Sequence, residues 1–239
     1  VHNEERYLLS VLRKVLRHAE QVLVIDDGSC DATPTLLART KVEVIRHAQN
    51  RGYGRSLQDA FRWAAVDGFD WVITMDCDEQ HEPDAIPGFL ERAAAGDLDV
   101  VSGSRYLGAH PENDQPPPDR RKINAEITRE LNRRLGLALT DAFCGFKAYR
   151  VEAIERLTLS EDGYAFPMQF WVQAVARGLR IGEIPVRLIY NDLNRSFGGP
   201  LDDPQQRIEH YRRALHCELE RCAASLPPSA LEDVSAGCR

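Results

Sequence analysis

Apolar runs too short for helices alternate with stretches of helical period through the first half of the 239 residues. Leu8, Leu9, Val11, Leu12, Val15 and Leu16 recur at helical spacing. They predict a helix, with Glu4 and Glu5 at its positive end and Asn3 or Ser10 as cap. Gln21–Asp26 reads as a buried strand ending in the turn Asp26-Asp27-Gly28-Ser29, after which Asp31 caps a helix through Leu36, Leu37 and Ala38. Val42–Arg46 is the next strand. The loop Asn50-Arg51-Gly52-Tyr53-Gly54 then opens a helix from Ser56 to about Asp67, with Leu57, Ala60, Phe61 and Ala64 on its inner face. Trp71–Met75 is a third strand stopped by Pro83, followed by a helix over about Asp84–Ala95 and the strand Asp99–Ser104. Strand alternating with helix predicts an α/β fold: a mostly parallel central sheet with helices on both faces.

The pattern changes after Leu107. Gly108–Asp119, with Pro116-Pro117-Pro118, is a polar loop, and Arg120–Leu135 is a basic helix closed by Gly136. Asp141–Arg150 reads as a turn and short strand. Helices follow from about Val151 and from Pro167 to Gly178, and Ile181–Leu188 is a final strand. Asn191–Asp203 is a flexible loop, Gln205–Cys222 a last amphipathic helix, and residues 225–239 a disordered tail. Residues 1–224 are expected to form one domain.

A net charge of −7 argues against a general nucleic-acid binder. Cys30, Cys77, Cys144, Cys217, Cys222 and Cys238 are scattered without a C-x-x-C pair, which fits neither a zinc framework nor a secreted disulfide scaffold. A reducing compartment is the expectation. No apolar run approaches the roughly 18 residues of a spanning helix.

Three strand ends carry polar clusters: Asp26-Asp27-Gly28, Asp76-x-Asp78 and Ser102-Gly103-Ser104-Arg105. In an open α/β sheet such ends converge on one edge, where ligands bind. Two carboxylates with the Gln80 amide suit Mg²⁺ or Mn²⁺, which take one or two protein carboxylates plus substrate phosphates. The alternative is a solvated acidic turn. The basic helix is either a solvated face or a surface for an anionic partner, a phosphate or a lipid headgroup layer.

The order of the clusters H-N-E-E, V-I-D-D-G-S-C-D-x-T, N-R-G-x-G, M-D-x-D-x-Q-H, G-S-R-Y and D-x-x-C-G-F-K-A-Y-R resembles the family-2 inverting glycosyltransferases of GT-A fold. Within them it is most similar to the polyprenol- or dolichol-phosphate mannose synthase branch. The resemblance runs from Val1 to about Val186. It implies a GDP- or UDP-sugar donor and a divalent cation. By position, Glu4, Asp26, Asp27, Gly52 and Asp76 are implied donor contacts, and Asp76, Asp78 and Gln80 the metal triad. Arg105 and Arg121 match positions that hold an acceptor phosphate. Where the branch carries a small-Ser-Lys segment, this chain has Arg195-Ser196-Phe197, so Arg195 is the expected source of positive charge at the leaving diphosphate. The strand that normally precedes H-N-E is absent, which implies a chain lacking its first strand or another strand in that place.

A hydroxyl acceptor, on a glycan or small molecule, needs a base, for which Asp141 and then Asp162 are the candidates. A lipid phosphate is already ionised near neutral pH and needs arginines instead. Arg105 and Arg121 favour a polyprenyl or dolichyl phosphate. The protein is then expected to be cytoplasmic and peripheral at a membrane, docked through its basic helix or a partner. Readings of another class are a non-catalytic nucleotide-sugar-binding module and a D-x-D phosphatase. Against the second, Gln80 stands where Thr or Val belongs.

Overall fold

The computed structural model describes residues 1–108, 112–191 and 197–234. Strands β1 (Leu23–Asp26) and β2 (Glu43–Arg46) pair in parallel as a two-stranded sheet. A separate four-stranded sheet holds β3 (Trp71–Thr74), β4 (Val100–Ser104), β5 (Lys147–Arg150) and β6 (Ile181–Pro185) in the order β3-β5-β4-β6. β4 and β6 are parallel, but β5 runs antiparallel to both of its neighbours.

The expected α/β fold is present, and its mostly parallel sheet is made mixed by β5. The physical reason is the route of the chain after β4. It leaves at the carboxyl edge, forms α5 (Pro118–Leu135) and returns through Asp141–Phe146 to that same edge. Without a crossover to the opposite edge, the next strand must run backwards.

Helix α1 (Leu8–Val15) straddles the two sheets. Leu8 and Leu12 pack with Val24 and Leu37 beside β1, while Val11 and Val15 pack with Ile86, Phe89 and Val101 beside the larger sheet. Helix α3 (Tyr53–Val66) bridges them from its own side, touching β1 and β3. Among the described residues no strand lies between β1 and β3. Val1 alone lines the open edge of β1, its amine donating to Ile25 O at 2.7 Å while Asp27 N–H donates to Val1 O at 2.8 Å. Those two bonds are the start of a parallel ladder.

The main core lies on the other side, around α7 (Phe166–Ala176). Its Phe166, Met168, Phe170, Trp171 and Val172 are all buried beneath α5 and α8 (Pro204–Arg221). Trp171 is satisfied by donating to Ala142 O at 3.0 Å. The expectation of a disordered tail gives way as far as Val234. Ala230 is fully buried, Leu231 and Val234 pack on the core, and Arg134 donates to Ala230 O and Glu232 O.

The starts of β4 and β6 are fastened by Asp99. It accepts from Arg180 Nε at 3.0 Å and Nη2 at 2.8 Å, with Arg150 Nε 3.3 Å away. The hydrogen bonds from Arg180 hold its carboxyl down to about 2. A depressed carboxyl stabilises the fold above its unfolded pKa and loses that stabilisation as pH falls through the folded value. Urea midpoints are thus expected to fall between about pH 4 and pH 2, and less steeply in Asp99→Asn, as tryptophan fluorescence would report.

Candidate functional site

The carboxyl ends of β1, β3 and β4 open into a cleft of about 1040 Å³ whose inner end runs back between β1 and β3. Glu4, Asp27, Gly52 and Tyr53 line one wall, Asp76, Asp78 and Gln80 the floor, and Arg105, Arg120 and Arg207 the far end.

The first wall is built on Asp27. Its carboxylate accepts from the N–H groups of Arg51 at 2.7 Å and Gly52 at 2.9 Å, drawing the loop before α3 against the end of β1. Gly52 has φ +105, and a side chain there would place its Cβ 2.3 Å from Asp162 O, so this approach requires glycine. Behind Asp27 stands His47, buried, with Nδ1 2.7 Å from Asp27 Oδ1 and Nε2 3.0 Å from Asp59 Oδ2. Asp59 is in turn held by Arg55 and Arg62. Sequence reasoning missed His47, a lone histidine after β2 that no motif singles out. Asp26 sits behind the wall, fully buried, accepting from Ser29 N–H and paired with Arg46 at 3.2 Å.

The floor is a turn fixed from four sides. Asp76 N–H donates to His81 Nδ1 at 2.9 Å, Gln80 N–H to Asp78 Oδ1 at 3.0 Å, and Asn191 Nδ2 to Asp78 O at 2.7 Å. Glu79 takes a left-handed backbone, φ 60, and its carboxylate leaves the cleft to accept from Ser10 Oγ on α1 at 2.8 Å. His81 packs on Phe146 between Asp76 and Cys144. Burial opposes its charge, but the Asp76 carboxylate and the Cys144 thiol hold the imidazole above its ordinary range. The Asp76 side chain is 43% exposed toward the cleft, and the Gln80 amide nitrogen has no protein partner. Among the described residues no three His, Cys, Asp or Glu side chains converge as a closed metal cage. Two carboxylates, that of Asp76 open to the cleft, and an amide oxygen are instead the donor types that fit a hard divalent cation completing its shell with ligand phosphate oxygens and water.

At the far end Arg105 is clamped by Asp141, Nε to Oδ2 at 2.6 Å and Nη2 to Oδ1 at 3.0 Å. Asp141 also accepts from Asn124 Nδ2 and Phe143 N–H, and it is fully buried. Burial alone would raise its carboxyl, yet Arg105 and these donors hold it well below the usual range. It does not line the cleft. Arg121 lies on the outer rim with its guanidinium 3.7 Å over the Tyr106 ring. Arg120 and Arg207, which motif reading passed over, reach the cleft and flank the Phe197 ring at 5.0 and 4.7 Å. Asp162 is exposed, accepts from Gln58 and is not gathered into the site. Arg195 lies outside the described residues.

Residues 1–158 match the family model described as glycosyl transferase family 2. The chain belongs to that family. This glycosyltransferase is 31% identical over 183 residues to an undecaprenyl-phosphate mannosyltransferase of Micrococcus luteus, covering 73% of this chain and 74% of the relative. It is 28% identical over 207 residues to a polyprenol monophosphomannose synthase of Mycolicibacterium smegmatis, covering 82% and 77%. Among solved structures it resembles glucosyl-3-phosphoglycerate synthase from Mycobacterium tuberculosis in complex with Mn²⁺, UDP-glucose and phosphoglyceric acid. The TM-score is 0.67 at 21% identity, over 96% of this chain and 79% of that one. The fold of the glycosyltransferase is accordingly GT-A.

The clamp at the far end has a measurable cost when broken. Asp141→Asn leaves the Arg105 guanidinium buried against a neutral amide. A loss of about 3–5 kcal/mol in urea unfolding is expected, as for other buried pairs deprived of one partner. Arg105→Leu in the Asp141→Asn background should recover part of it.

Proposed function

We propose that the protein moves a sugar, with inversion, from a GDP- or UDP-linked donor to a polyprenyl or dolichyl phosphate, using Mg²⁺ or Mn²⁺. The observation that carries this reading is the state of Asp141. Both of its oxygens are spent on Arg105, Asn124 and the Phe143 amide, so the acceptor end offers a fixed cation rather than a base. A hydroxyl acceptor needs a base there, whereas a phosphate monoester, with a second pKa of about 6, arrives ionised. The names of the two mannose-transferring relatives, both acting on polyprenyl phosphates, support the same acceptor.

In this reading Asp27 and Gly52 form the nucleotide wall, with Glu4 beside them and Asp26 bracing the turn from behind. Asp76, Asp78 and the amide of Gln80 would hold the cation, which when bound supplies positive charge at the donor diphosphate. Arg105 lines the cleft, and among the described residues its Nη1 makes no hydrogen bond. Asp141 fixes the plane of that guanidinium, so its role is to position Arg105. Arg120 and Arg207 add charge on the side of Phe197, and Arg121 extends it to the rim. The protein is placed at the cytoplasmic membrane surface, because its acceptor is lipid-borne.

Incubation with a panel of GDP- and UDP-sugars and a short-chain prenyl phosphate, read by mass spectrometry, tests the reading. Transfer is expected from one nucleotide class, lost on chelation and restored by Mn²⁺ or Mg²⁺. Arg105→Ala should raise the acceptor KM by at least tenfold, as expected for a lost charge-assisted hydrogen bond of about 1.5–3 kcal/mol. Transfer to a hydroxyl acceptor alone, or transfer undiminished by chelation, would overturn it.

His47 gives a separate handle on the donor wall. Replacing it with Ala removes the hydrogen-bond partner behind Asp27 and should raise the donor KM by roughly tenfold. The acceptor KM should stay unchanged. Steady-state kinetics with each substrate varied in turn checks that split.

A further inference from the structure

Beyond the end of β6 the chain runs from Arg187 to Asn191 outside any strand, yet it is held at several points. Leu188 N–H donates to Asn113 Oδ1 at 2.9 Å, Asp114 N–H to Leu188 O at 3.0 Å, and Tyr190 N–H to Asp114 Oδ2 at 2.7 Å. Arg187 Nε donates to Glu112 O at 3.1 Å, and its Nη1 stands between the Glu112 and Glu82 carboxylates at 3.4 and 3.8 Å. Leu188 is buried and anchors the segment. The residues Glu112–Asp114 that grip it lead into α5, which brings Arg120 to the far end of the cleft and Asn124 to Asp141. At the other end of the segment, Asn191 Nδ2 reaches the carbonyl of Asp78 at 2.7 Å, inside the turn that bears the candidate cation ligands. Satisfying loose backbone groups would account for the first of these bonds. It does not account for the last polar side chain landing on that turn, nor for Arg187 standing between Glu82 and the loop before α5. Neither Arg187 nor Asn191 lines the cleft, whereas Tyr190 does.

We propose that Arg187–Asn191 is a positioning strap. It sets the turn from Asp76 to Gln80 from the same segment that is tied to the entry of α5, so a cation at one end and an acceptor phosphate at the other each favour binding of the other. The proposal rests on the cation and acceptor reading above and adds to it the linkage between the two. Carboxylates close together on one turn repel each other, and their oxygens must be held to about half an ångström to meet one ion. Asn191 supplies part of that restraint from outside the turn. An acceptor seated against Arg105, Arg120 and Tyr190 stills the strap, and ordering made once is not made again when the cation enters. By linkage the effect runs equally in both directions.

Binding of Mn²⁺, followed by loss of the free-ion electron paramagnetic resonance signal with UDP or GDP at saturation, tests the strap without turnover. Asn191→Ala is expected to raise the Mn²⁺ Kd roughly fivefold, the worth of one hydrogen bond. Its binding of the metal-free nucleotide should be unchanged. A short-chain prenyl phosphate should tighten Mn²⁺ binding to the wild type by about fivefold. That tightening should largely disappear in N113A/D114A, whose two positions do not line the cleft. In the wild type, where no variant has to fold, hydrogen exchange at Asp114, Leu188 and Tyr190 should slow when Mn²⁺ and the nucleotide bind. Unchanged Mn²⁺ affinity in Asn191→Ala, an equal response to prenyl phosphate in N113A/D114A, or exchange unaltered by Mn²⁺ would each overturn the strap. The cation and acceptor reading would survive those results if the wild type still bound Mn²⁺ with nucleotide and transferred sugar to the prenyl phosphate. A wild type that took up neither Mn²⁺ nor prenyl phosphate would sink that reading, and the strap with it.

Discussion

The carboxylate of Asp141 is the knot on which the Arg105 end of the cleft depends. It takes Arg105 from the end of β4, Asn124 from α5 and its own near neighbour Phe143. Its backbone N–H donates to Glu183 on β6, which also accepts from Thr140. Three elements and the approach to β5 thus converge on one buried anion. Removing a carboxylate from water is costly, and this one stays ionised because a guanidinium and two further donors satisfy it. The same bonds fix Arg105, which lines the cleft, so the interaction that stabilises this end of the molecule also sets the place of its charge.

The opposite wall of the cleft rests on a different chain of contacts. His47 braces Asp27 and Asp27 holds the loop at Gly52. The turn from Asp76 to His81 depends on neighbours distant in sequence: Ser10 takes the Glu79 side chain out of the cleft, and Asn191 grips the carbonyl of Asp78. Polar side chains in the cleft are therefore aimed by groups that do not face it, the arrangement preorganised sites require.

Much of this was legible beforehand because the strands after Gln21, Val42, Trp71 and Asp99 each end in polar residues, and strand ends of an α/β sheet share an edge. The cluster from Asp76 to Gln80 could be read as a cation site on that ground. The direction of β5 was not legible, since Lys-Ala-Tyr-Arg alternates identically whichever way it runs. The ordering of residues 226–234 was hidden because only Ala230, Leu231 and Val234 carry it, too few to form a period. Asp141 was visible as an acid in a motif. Its enclosure by Arg105 and Asn124 depends on tertiary packing, which no spacing in the sequence displays.

The placement of α1 and α3 has a thermodynamic consequence. Both helices pack against the two sheets at once, so the wall bearing Asp27 and the floor bearing Asp76 are held relative to each other through their side chains. A ligand that touches both walls becomes a cross-link, and part of its binding free energy goes into fixing their relative position. Occupancy of the cleft and cohesion of the two halves are then one linked equilibrium. Changes where α1 and α3 join the sheets would be felt as changes in affinity through the relative position of the two walls.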